Sequence, residues 1–169
     1  SMPINLNRVC YTYAPGTPLA VPALRETTLE IRNGEFVGIM GRTGCGKSTL
    51  IQLMAGLLAP QSGSVLLDGA DIHDRAFDVG ILREKVGVVF QYPEYQLFET
   101  TVERDVAFGL KHLKLSAEEK ERRVRWALEL LGFSFEKIRG LSPLGLSGGE
   151  KRRVAIAGIL AVKPSYLIL

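Results

Sequence analysis

The stretch Gly41-Arg42-Thr43-Gly44-Cys45-Gly46-Lys47-Ser48 (GRTGCGKS) follows the pattern G-x-x-x-x-G-K-[ST]. Apolar residues 36–40 before it predict a buried strand, and Leu50, Leu53, Met54 and Leu57 after it recur with helical spacing, predicting a helix over 47–58 that closes at Pro60 and Gly63. A glycine-rich loop between a strand and a helix suits an anionic ligand. The glycines let the backbone turn so that successive N–H groups face phosphate oxygens, and the helix N-terminus adds its partial positive charge. Lys47 then reaches the β and γ phosphates of a nucleotide and the Ser48 hydroxyl coordinates Mg²⁺, with Thr49 continuing the binding segment into the helix.

Outward from the loop, residues 4–13 and 28–31 have strand character, and Asn33-Gly34 turns toward residues 36–40. Downstream, residues 64–67 with Asp68-Gly69 predict a short strand and turn, 76–83 a short helix, and the β-branched run 86–90 a strand buried on both faces. From Gln91 the texture becomes helical. Residues 102–110 and 116–131 predict helices, the second opened by the capping box Ser116-x-x-Glu119 and closed by Gly132; a further helix runs from Ser147 to about Val162. The sequence has no internal repeat and no low-complexity tract. The expected fold is α/β, with a β-rich start and an inserted helical subdomain.

The 169 residues correspond to one domain, or to one domain and part of another. A net charge of +3 permits contact with phosphates or an anionic surface and does not call for nucleic acid as a partner. The two cysteines, Cys10 and Cys45, form no metal-ligand cluster and no disulfide framework, which fits a reducing compartment. The apolar run 154–162 is far shorter than the ~20 residues of a membrane span, and no signal-peptide pattern opens the sequence, so a soluble protein or one held on a membrane by a partner is expected. Ser1 before Met2 reads as a residue left by tag removal.

A second motif narrows the function. Leu146-Ser147-Gly148-Gly149-Glu150, followed by Lys151-Arg152-Arg153-Val154-Ala155-Ile156-Ala157, resembles the signature of ATP-binding cassette (ABC) proteins, with Glu in the fifth place where Gln is commoner. Ser147-x-x-Glu150 is also a capping box, and the two readings are compatible, because a capped helix start with bare glycine amides suits a phosphate brought by a second subunit. The resemblance implies a P-loop NTPase (RecA-like) core with an N-terminal antiparallel β subdomain. It places Gln91 at the Q-loop, where its carboxamide meets Mg²⁺ or the attacking water. Tyr13 matches the aromatic that stacks on adenine, with Tyr11 as the alternative and core packing as the bland reading. Around Gln91 the run Gln91-Tyr92-Pro93-Glu94-Tyr95-Gln96-Leu97-Phe98 looks like the ATPase subunits of energy-coupling factor (ECF) importers, the cobalt and vitamin importers, and the similarity covers nearly the whole chain. Tyr92, Tyr95, Leu97 and Phe98 are then expected to receive a transmembrane coupling subunit, or else to pack the helical subdomain. The expected organisation is 2–91 for the β subdomain and P-loop core, 92–147 for the helical subdomain and 148–169 for the signature helix and the next strand.

That last strand, Tyr166-Leu167-Ile168-Leu169, is where the resemblance places the Walker B acids, and both, with the later switch histidine, would fall beyond Leu169; neither His73 nor His112 has a matching context. Without a water-orienting carboxylate, hydrolysis by these residues is expected to be very slow or absent, while ATP and Mg²⁺ binding survives. The sheet is expected to lack a central strand and to be rearranged or completed by a second copy. The function implied is that of an ATP-binding subunit, at the cytoplasmic face of the membrane, that energises an importer of vitamins or transition-metal ions. Its implied partners are a second ATPase subunit, a coupling subunit and a substrate-binding membrane subunit. A soluble non-transport ABC ATPase would need a coiled-coil insert or tandem cassettes, and neither is present; a silent nucleotide-binding or assembly module is the other alternative.

Overall fold

The computed structural model describes residues 3–42, 44, 46–90 and 92–169. They form two compact units, one running to Val86 and the other starting at Gly87. The fold class is α/β, as the sequence predicts.

In the first unit, strands β1 (Ile4–Tyr13), β2 (Val21–Ile31), β3 (Ser62–Leu67) and β4 (Ala70–Asp71) make a sheet in the order β2-β1-β3-β4. β1 runs antiparallel to both neighbours, with Ile4 opposite Ile31 on one side and Leu67 on the other. Alternation buries Ile4 and Leu6 of β1 with Val65 and Leu67 of β3. Helix α1 (Lys47–Met54) adds Leu50, Leu53 and Met54 to this core, and α2 (Val79–Lys85) adds Leu82. The β1–β2 ladder is bulged around Arg8 and Glu26, both at positive φ, and their side chains pair at 2.7 Å. Gly63 serves this bulge: its φ is +78°, and a Cβ there would stand 2.4 Å from the Arg8 carbonyl oxygen.

In the second unit, β5 (Val86–Val88) pairs with β6 (Tyr166–Ile168), and the Val89 N–H donates to the Ile168 carbonyl at 2.8 Å. Helices α3 (Val102–Ala107), α4 (Ala117–Leu130), α5 (Phe135–Ile138) and α6 (Gly148–Ala161) enclose Val102, Val106, Val124, Leu128, Phe135 and Val154. Phe135 lies between the guanidiniums of Arg125 and Arg139, 4.3 and 4.5 Å from the ring centroid.

Several expected elements differ. Residues 36–40 form no strand, and Phe36 and Met40 are almost fully exposed. A strand exists only with a ladder partner, and no described strand pairs with this run. β2 starts at Val21 rather than at residue 28, and α1 ends at Met54 rather than 58, because Gly56 at φ +75° takes the left-handed position that closes a helix. α2 starts at Val79, where the Asp78 carboxylate accepts the Gly80 N–H at 2.8 Å, rather than at residue 76. β5 stops at Val88 rather than 90, and the helix expected over 102–110 tightens into a 3₁₀ turn, Phe108–His112. The box at Ser116 is half made. Ser116 caps the Glu119 N–H, but the Glu119 carboxylate turns to Arg122 and Arg123 instead of back to the cap.

Candidate functional site

α1 starts without a side-chain cap, as does the single-turn α5. α2, α3, α4 and α6 each have a side-chain cap, from Asp78, Thr101, Ser116 and Ser147; the N-cap of α1 is Gly46, which has none. The first described α1 ladder bond is Leu50 N–H to Gly46 O at 2.9 Å, so the Lys47, Ser48 and Thr49 amides point out of the helix end toward the loop. Gly46 is required twice over. Its φ is +95°, and a Cβ would lie 2.5 Å from the Ala23 carbonyl oxygen on β2, so only glycine lets the loop approach that strand.

This approach encloses a cavity of about 450 Å³, within the range of small-molecule sites. Gly44, Gly46, Lys47, Ser48 and Thr49 form one wall, and Tyr13, Val21 and Ala23 the other. Among the described residues lining it, Lys47 carries the only charge, and its ammonium donates to the Gly41 carbonyl. The site thus combines a cation, open amides and a flat aromatic ring. Tyr13, 41% exposed, bonds its hydroxyl to Thr49 Oγ1 at 2.7 Å, while Tyr11 meets it edge-on with ring centroids 5.0 Å apart. Of the two tyrosines, Tyr13 lines the cavity. Arg42 is exposed, and Thr43, Cys45 and Gln91 lie outside the described residues.

The described residues contain no group of three His, Cys, Asp or Glu side chains able to hold a metal. The donor set still suits Mg²⁺, a hard cation that keeps its waters and is bound through one or two protein oxygens plus substrate phosphates; the Ser48 hydroxyl is such an oxygen. His73 lines no part of the cavity. Its imidazole is half-buried, its Nε2 has no partner among the described residues, and burial depresses its pKa against the opposing pull of Asp71.

In the second unit, Ser147 and Glu150 complete the capping box at the start of α6: Ser147 Oγ accepts the Glu150 N–H at 3.2 Å, and Glu150 Oε1 accepts the Ser147 N–H at 2.9 Å. The Ser147 backbone N–H, then its side chain, hold the Glu150 carboxyl below the usual carboxylate range. A Cβ on Gly148 or Gly149 would meet nothing within 4 Å and both residues are exposed, so packing does not explain these glycines. Leu146 packs on the helical core. Tyr92, Tyr95 and Phe98 are exposed in and beside the 3₁₀ turn Pro93–Gln96, with the two tyrosine rings stacked at 5.6 Å, whereas Leu97 packs against the core. Phe98 and Phe108 border a second cavity of about 280 Å³ that also meets Asp105 and Gly158. Burial raises the Asp105 pKa, against the Glu99 and Phe98 N–H groups that bond its carboxylate.

Sequence reasoning missed Val21, Ala23 and Gln61. Pro18 and Pro22, with Arg25 and Glu26, hide the alternation that would have extended β2 to the cavity. Nothing around Gln61 signals that its carboxamide brackets Thr12, accepting the N–H at 2.9 Å and donating to the carbonyl at 2.7 Å.

A family model described as ABC transporter matches residues 24–169. The energy-coupling factor transporter ATP-binding protein EcfA2 of Clostridium acetobutylicum is 51% identical over 168 residues, covering 99% of this chain and 59% of that protein. Its counterpart in Symbiobacterium thermophilum is 54% identical, over 99% of this chain and 58% of the relative. The chain therefore spans less than two thirds of the relatives' length. Among solved structures, cbiO1 from Clostridium perfringens, described as part of the ABC transporter complex cbiONQ, superposes with a TM-score of 0.82 at 39% identity, over 97% of this chain and 63% of that one. The dimeric ATP-binding cassette MJ0796 bound to ADP and Pi matches with a TM-score of 0.79 at 35% identity, over 95% of this chain and 70% of that one.

Proposed function

The chain belongs to the ABC transporter family, and on that premise we propose that it is the ATP-binding part of an ECF-type importer, binding MgATP between the 41–49 loop and Tyr13. The supporting observation is the cavity beside α1, where uncapped amides and Lys47 face an anion while Tyr13 offers a planar surface to a base. Lys47 leaves the Gly41 carbonyl for the terminal phosphates, Ser48 places its hydroxyl on Mg²⁺, and Tyr13 stacks on adenine. Gln91 supplies a carboxamide to Mg²⁺ or to the attacking water. Mg²⁺, when bound, neutralises phosphate charge and orients the terminal phosphate for attack.

The amides of Gly148 and Gly149, framed by Leu146, Ser147 and Glu150, serve the nucleotide of a second ATPase subunit, identical or related. Dimeric packing of the neighbour cassette supports this arrangement. Among the described residues no helix is long and apolar enough to cross a membrane. A transmembrane coupling subunit docks at Tyr92, Tyr95 and Phe98 with Leu97 beneath them, and a separate membrane subunit selects the solute, a vitamin or a transition-metal ion. Such an assembly places this subunit at the cytoplasmic face. Isothermal calorimetry with ATP and magnesium tests the central claim: saturable heat in the wild-type chain, lost in Lys47→Ala, supports it. Absence of heat from a folded sample refutes it.

A further inference from the structure

β1 outruns the strand beside it. Its ladder with β3 ends at Cys10 opposite Ser62, where the Gln61 N–H donates to the Cys10 carbonyl at 3.0 Å. Two residues on, the Thr12 backbone groups face the same flank, and the Gln61 carboxamide takes both, accepting the N–H at 2.9 Å and donating to the carbonyl at 2.7 Å. An amide that accepts and donates in this way stands in for a peptide group, so one side chain adds a rung to the sheet past the start of β3. On the other flank Thr12 lies opposite Pro22, which has no N–H to give. With both Thr12 groups committed to Gln61, that pair needs none, and a proline fits there. The added rung immediately precedes Tyr13, whose ring lines the cavity.

We propose that Gln61 is a positioning residue for the base-facing wall: by pinning the end of β1 it holds Tyr13 at the cavity and so favours a phosphate ligand that carries a base over one that does not. Gln61 is not among the described residues lining the cavity, so it acts through the Thr12 backbone. Without the carboxamide, Thr12 and Tyr13 keep only the irregular pairing to β2, whose register shifts between Val9 and Tyr11 and again between Tyr11 and Thr12. Stacking on the ring must then include the cost of ordering the strand end, and preorganisation removes that cost from binding. Gln61 is itself exposed and outside the core, so its effect belongs to ligand preference and not to global stability.

The inference rests on the MgATP reading and is tested by calorimetry with two probes, MgATP and magnesium tripolyphosphate, the second lacking a base. Gln61→Leu keeps the size and removes both hydrogen-bonding groups; it is expected to weaken MgATP about 3- to 5-fold, the order of one net hydrogen bond, and to leave tripolyphosphate unchanged. Gln61→Glu, which keeps an acceptor for the Thr12 N–H and loses the donor, gives a smaller loss on MgATP alone. In a Tyr13→Ala background Gln61→Leu has no further effect on either probe, because the ring through which it acts is gone. A loss equal for both probes, a loss that persists without the Tyr13 ring, or unchanged MgATP affinity in folded Gln61→Leu overturns the proposal. A wild-type chain that binds neither probe overturns the MgATP reading itself, and this inference with it.

Discussion

Gly46→Ala and Gly44→Ala form a matched pair that isolates why the loop needs its glycines. Both residues have left-handed backbones, φ +95° and +83°. Forcing alanine there costs about 1–2 kcal/mol in either case. The two differ in surroundings: a Cβ at Gly44 meets nothing within 4 Å, whereas at Gly46 it lies 2.5 Å from the Ala23 carbonyl oxygen and 3.1 Å from Leu24 Cδ2. The carbonyl belongs to β2 and cannot swing aside as a side chain can, so relieving the overlap adds about 1–3 kcal/mol of backbone displacement. Alanine also narrows the unfolded ensemble, but equally at both sites, so that contribution drops out of the comparison. With a urea m-value of about 2 kcal/mol per M, the midpoint falls by roughly 0.5–1 M for Gly44→Ala and by about 1–2.5 M for Gly46→Ala. Urea unfolding followed by far-UV circular dichroism reads both. Equal midpoints would mean that the approach of the loop to β2 carries no energetic weight, and the account of Gly46 would be wrong.

Other outcomes follow from the same geometry. Ser147→Ala removes the cap from α6 and is expected to cost about 1 kcal/mol of stability, read as a lower denaturation midpoint, while Ser147→Thr retains most of it. Phe135→Ala empties a fully buried site and is expected to cost about 3–5 kcal/mol, whereas Phe135→Leu, which loses mainly the contacts to Arg125 and Arg139, costs about 1–2 kcal/mol in the same assay. The Glu150 carboxyl titrates below its ordinary value, so its contribution is present above the unfolded pKa, about 4.3, and is lost as pH falls through the folded value. Asp105, raised by burial, acts in the opposite sense: its contribution is fully present below its unfolded pKa and is lost as pH rises through the folded one. Melting temperature is expected to fall on acidification with a shallower slope in Glu150→Gln than in wild type, and parallel slopes would refute the Glu150 assignment. Tyr95→Ala removes an exposed ring without disturbing the core, so thermal stability should hold while co-purification with the proposed transmembrane coupling subunit should drop; undiminished co-purification would remove Tyr95 from the proposed docking surface.

What could be read from the sequence, and what could not, divides along the distance between interacting residues. The loop wall of the cavity is local: the glycines, the lysine and the hydroxyl of Gly44, Gly46, Lys47 and Ser48 fall within a few residues of one another, so residue types and spacing suffice to point to it. The capping box at Ser147 is legible for the same reason, and the one at Ser116 is half legible because Arg122 and Arg123 compete for Glu119. The apolar run 36–40 reads as a strand since its composition records what it can bury, but composition cannot supply the ladder partner that a strand requires. The base-facing wall is non-local in the same way. Tyr13 meets Thr49 across 36 positions and Thr12 meets Gln61 across 49, and no local pattern announces either contact. It follows that substitutions in the two walls should separate in their effects. On the MgATP reading, changes in the loop, Thr49 included, act on any phosphate ligand, whereas changes in Gln61 or Tyr13 act on the preference for a ligand that has a base, because only the wall built across the sheet depends on those distant contacts.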